Sequence, residues 1–108
     1  IRPEENPVTI HLGMVVTNEP GIYRDHEYGI RTENMMLTIL AMTTDYGDFY
    51  KFETLTLCPI DTTPIIKEMM TNEEIEWLNN YHQIVYKKLS PHLSDEEKEW
   101  LRNKTKGI

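Results

Sequence analysis

Two short segments constrain this chain most. Thr17-Asn18-Glu19-Pro20-Gly21 and Tyr28-Gly29-Ile30-Arg31-Thr32-Glu33-Asn34 each set a carboxylate into a stretch that otherwise reads as buried strand. Burying an unpaired carboxylate costs roughly several kcal/mol. Glu19 and Glu33 are therefore exposed at a sheet edge, held in a local salt bridge such as Glu33 with Arg31, or bound to a cation.

The first half reads as strands. Val8–Leu12 and Met14–Thr17 are rich in β-branched residues and separated by Gly13, which permits a turn. Pro20 closes the second run because it has no N–H for a ladder. Asp25, His26 and Gly29 mark a connection of about ten residues, long for a tight hairpin. Ile30–Leu40 alternates as one strand, with Arg31, Glu33, Met35, Leu37 and Ile39 on one face. Asp45–Asp48 is a turn, Phe49–Cys58 a further strand, and Pro59 its end.

After residue 60 the period changes. Thr63-Pro64 predicts a short helix over Ile65–Met70, with threonine as N-cap and proline at the first helical position. Thr71-Asn72-Glu73-Glu74 is a capping box, followed by Ile75, Leu78, His82, Val85 and Leu89 at helical spacing. Ser94-Asp95-Glu96-Glu97 repeats the signature and starts a last helix. The expectation is an α+β fold, with antiparallel strands over residues 1–60 and two or three C-terminal helices over 61–108 packed on them.

The whole chain has 108 residues, with 11 Lys and Arg against 18 Asp and Glu and a net charge of −7. No basic run carries interleaved aromatics, so nucleic acid is not an expected partner. No apolar run approaches the ~20 residues that cross a bilayer, and no membrane partner is expected. The single cysteine, Cys58, cannot form an internal disulfide. It reads as a buried small hydrophobe in a protein of the cytoplasm. The polar opening Ile1-Arg2-Pro3-Glu4-Glu5-Asn6-Pro7 reads as internal to a longer protein.

If the strands bearing Glu19 and Glu33 are antiparallel neighbours, both carboxylates reach a common point. Paired glutamates provide hard oxygen ligands for divalent ions of the Mn, Mg, Co or Zn kind, and two such ions activate water for hydrolysis. Two carboxylates are too few ligands alone. Glu53 is a third acidic residue in a strand, with nothing around it to distinguish ligand from surface. There is no His-Glu-Xaa-Xaa-His, Cys-Xaa-Xaa-Cys, phosphate loop or nucleophile elbow. A non-catalytic acidic interaction or structural module is the alternative.

Gly13–Tyr23 and Tyr28–Asn34 together resemble the C-terminal part of the catalytic domain of the aminopeptidase P group, the Xaa-Pro aminopeptidases of the pita-bread metallopeptidase family M24. Phe52–Ile60 and Glu76–His82 are similar to the tail of its longer members, so the resemblance spans essentially the whole chain. It implies the C-terminal part of a pita-bread fold. It also implies that Glu19 and Glu33 are the last two of five ligands to a pair of divalent ions, usually manganese, with Glu33 bridging and Arg31 orienting the carboxylates. Full enzymes of this kind release the N-terminal residue from peptides with proline in second position.

The chain also departs from the pattern. The family has two aspartates and a histidine upstream of the glutamates, and no segment before Glu19 matches them. Asp25 and His26 follow Glu19 and do not fit the order. The resemblance therefore implies that these 108 residues bind no tight metal pair and have no peptidase activity alone. The expected partners are the missing N-terminal part of the same chain, peptide substrates of the parent, and a second copy in a homo-oligomer.

Overall fold

The computed structural model describes residues 8–108, so the opening Ile1–Pro7 lies outside the described residues. The chain divides into two compact units, one ending at Thr56 and one running Leu57–Ile108. The first is antiparallel β-structure and the second is helical, in keeping with the α+β expectation.

In the first unit, β1 (Val15–Asn18), β4 (Asn34–Thr44) and β5 (Gly47–Thr54) form a sheet in the order β1-β4-β5. Strands β2 (Gly21–Arg24) and β3 (Tyr28–Arg31) form a separate two-stranded sheet. The two ladders share one register. Asn18 faces Asn34 at the end of β1/β4, Gly21 faces Arg31 at the start of β2/β3, and Thr32 N–H bonds to Pro20 O between them. Residues 15–37 are thus one long antiparallel hairpin, interrupted once at the glutamates.

Four sequence expectations change here. The ten-residue connection is itself the β2–β3 hairpin, closed by Asp25-His26-Glu27 with His26 at φ 60°, a left-handed conformation in which histidine is enriched among non-glycine residues. Ile30–Leu40 is two strands, because the pairing changes sheets at Thr32-Glu33. Val8–Leu12 is not a strand. The chain turns at Gly13, φ 81°, where Gly13 N–H meets Thr38 O and the ladder with β4 stops; β-branched residues form a strand only where an edge is offered to them. The last strand ends at Thr54 instead of Cys58.

In the second unit, α1 (Asn72–Leu89) and α2 (Asp95–Lys104) begin on the two expected capping boxes, Thr71 with Glu74 and Ser94 with Glu97. Ile65–Met70 is not an α-helix; only a single 3₁₀ turn forms at Lys67–Met69. Six residues that include two isoleucines are too few to repay helix nucleation. The core is Tyr81, Val85 and Leu101, with Leu57, Ile60, Leu89 and Leu93 packed around it.

Adjacent α1 residues fasten the segment that enters this unit. The Tyr81 hydroxyl donates to Cys58 O at 2.9 Å, and His82 Nε2 accepts the Ile60 N–H at 3.1 Å. With its backbone anchored this way, Cys58 turns its thiol outward, and the cysteine is exposed where burial was expected. His82 is fully buried. Burial holds its imidazole below the ordinary histidine range, and the Nε2 lone pair that accepts the Ile60 N–H belongs to the neutral ring.

Candidate functional site

The shared register places Glu19 and Glu33 opposite one another. Glu19 follows Asn18 and Glu33 precedes Asn34, the last facing pair of β1/β4. Side chains alternate along a strand and facing residues share a side. One side of the hairpin therefore carries Thr17, Glu19 and Gly21 on one arm and Met35, Glu33 and Arg31 on the other. Pro20 breaks the ladder beside Glu19, and this break is where both carboxylates emerge.

Arg31 lies between them. Its Nη1 is 3.6 Å from Glu19 Oε2 and its Nε is 3.2 Å from Glu33 Oε2. The Glu33–Arg31 pair follows from their spacing of two along the chain, whereas the Glu19–Arg31 pair needs the hairpin to close. Glu19 has a second partner, the Thr17 hydroxyl, which donates to Oε1 at 2.7 Å. Sequence reasoning missed Thr17; its signal is the two-residue strand spacing from Glu19.

Neither carboxylate is buried as the apolar flanks suggested. Side-chain exposure is 48% for Glu19, 38% for Glu33 and 50% for Arg31. Ion pairs this wet contribute only about 0–1 kcal/mol each. Their consequence is positional: two carboxylate oxygens gather on one positive charge. Beside them runs an open groove of about 820 Å³ whose lining includes Val15, Thr17, Glu19, Pro20, Met35 and Phe52.

Glu53 is not brought into this group. It faces Leu37 on β5, four residues along β4 from Glu33, or roughly 13 Å at about 3.3 Å per residue. The fit to a metal centre is therefore partial. Two hard oxygen donors converging on a cation suit a divalent ion, with Arg31 as the cation now between them. Among the described residues no group of three or more His, Cys, Asp or Glu side chains is gathered to hold a metal.

Comparison with known proteins bears on this geometry. A family model described as the C-terminal region of peptidase M24 matches residues 48–108, and one described as metallopeptidase family M24 matches residues 1–39. The chain is 39% identical to a probable Xaa-Pro aminopeptidase P of Coprinopsis cinerea, over 100% of this chain and 18% of that protein. It is 39% identical to aminopeptidase P2 of Arabidopsis thaliana, over 95% of this chain and 15% of that protein. Among solved structures, the X-prolyl aminopeptidase of Caenorhabditis elegans, described as a cytosolic enzyme with a di-nuclear active site, superposes with a TM-score of 0.82 at 39% identity, covering 92% of this chain and 17% of that one. The chain thus spans 15% to 18% of the length of these relatives.

Proposed function

We propose, given that this chain belongs to metallopeptidase family M24 and carries its C-terminal region, that Glu19 and Glu33 are two ligands of a di-metal centre in a longer aminopeptidase. The observation that carries this reading is their facing position across one break in a single hairpin, with both carboxylates on Arg31. The remaining ligands come from sequence outside these 108 residues. The metal is manganese and the parent is cytoplasmic. It works on peptides with proline in second position, removing the residue before it.

Divalent ions held there would supply Lewis acidity. The chain's own residues provide placement. Glu33, on the short link between β3 and β4, is held from one side by Arg31 and would be one of the residues that hold the metal. Glu19 is held by Arg31 at one oxygen and by Thr17 at the other. Arg31 orients both carboxylates and offsets their mutual repulsion, which would otherwise push them apart at this spacing.

The direct test is turnover. The isolated 108-residue chain, incubated with Mn²⁺ and an Arg-Pro-Pro peptide, is expected to release no free amino acid above blank, because two carboxylates do not complete the centre. Sustained release proportional to protein would refute this.

A further inference from the structure

Thr17 stands two residues before Glu19, which follows the end of β1, so the two side chains leave this arm of the hairpin on the same side. Its hydroxyl donates to Glu19 Oε1 at 2.7 Å, the length of a charge-assisted bond between a hydroxyl and a carboxylate. Glu19 Oε2 faces Arg31 instead. The two oxygens of one carboxylate therefore have different partners.

We propose that Thr17 is a positioning residue for Glu19, tying down Oε1 and so fixing the orientation in which the carboxylate would meet a metal ion. This rests on the reading of Glu19 as a metal ligand and adds a residue that acts through the ligand, without touching the metal. A glutamate side chain turns about three bonds, and ordering it opposes ligation unless the order is already built in. Threonine suits the task. Its branched Cβ restricts the first torsion, so the hydroxyl is itself held in place. Valine has the same shape and lacks the donor. Removing partners of this kind typically weakens metal binding about 10- to 100-fold.

The test titrates Mn²⁺ calorimetrically into the metal-stripped, full-length chain that contains these residues. Thr17→Val is expected to bind about 10- to 100-fold more weakly with an unchanged thermal midpoint, and Thr17→Ser, which keeps the donor, is expected to bind near the wild-type value. Glu19→Gln serves as the control for the underlying reading. If Glu19→Gln loses binding while Thr17→Val binds as wild type, the positioning role fails and the ligand assignment stands. Equal weakening by valine and serine also overturns it, since the hydroxyl is then not the agent. Unchanged binding in Glu19→Gln overturns the ligand assignment itself.

Discussion

Close approaches explain the glycine within each glutamate segment, Gly21 and Gly29. A Cβ on Gly21 would come 2.9 Å from the Ile30 backbone oxygen and 2.7 Å from the Tyr23 hydroxyl, whereas a Cβ on Gly29 would meet the Tyr23 ring at 2.7 Å. The ring is 64% exposed and can swing aside, but the Ile30 carbonyl belongs to the ladder and cannot. Gly21→Ala is therefore expected to destabilise the β2–β3 hairpin by about 1–3 kcal/mol, seen as faster amide exchange over residues 21–31, with Gly29→Ala milder. Unchanged exchange in Gly21→Ala would contradict this. His82 supplies the second prediction at this scale. Its folded pKa lies below the usual value, so below about pH 6.5 the unfolded chain takes up a proton that the folded chain resists. Its contribution to stability is complete above about pH 6.5 and is lost as pH falls through the folded pKa. Both tryptophans, Trp77 and Trp100, lie in the helical unit, and their fluorescence should show the urea midpoint falling from pH 7 to 5, less steeply in His82→Gln. Equal slopes would sink the assignment. The Glu33–Arg31 pair is legible in sequence from its spacing of two on one strand face, although both glutamates are more exposed than their apolar flanks suggest. Thr17 is not, because a threonine among valines reads as strand propensity until its hydroxyl is placed on Oε1.

Helix starts are local, and α1 and α2 begin on the boxes that Thr71-Asn72-Glu73-Glu74 and Ser94-Asp95-Glu96-Glu97 announce. The strand pattern is less local. Unbroken alternation through Ile30–Leu40 conceals a change of sheet, since alternation is blind to which strand lies alongside. The Asp25-His26-Glu27 loop lacks the Asn-Gly or Asp-Gly pair that marks a tight hairpin, so β2 and β3 read as a connection. Val8–Leu12 shows the reverse error, strand composition with no strand. At this scale the caps give the prediction. Thr71 accepts the Glu74 N–H and Glu74 returns a bond to the Thr71 N–H. Thr71→Ala should therefore cost about 0.5–2 kcal/mol, read as a lower urea midpoint by tryptophan fluorescence. A midpoint equal to wild type would show that the cap adds nothing to α1.

Among the described residues the apolar core belongs to the helical unit, around Tyr81, Val85 and Leu101. Among the described residues of the sheet unit the buried ones are Asn34 and Thr38, while Leu40, Tyr50 and Phe52 are nearly half exposed. Exposed apolar side chains gathered on one sheet mark an interaction surface, and the chain spans 15% to 18% of the length of its relatives. The candidate site is likewise built by one hairpin that brings two carboxylates together, and among the described residues no third His, Cys, Asp or Glu joins them. Among the described residues no helix is long and apolar enough to cross a membrane. The central claim is that Glu19 and Glu33 hold metal in the full-length parent, and metal content tests it most directly. Purified parent and its Glu33→Ala variant, dialysed against Mn²⁺ and analysed for bound metal per chain, should differ, the variant losing the bridged pair and its turnover. Equal metal content and an equal rate would contradict the account.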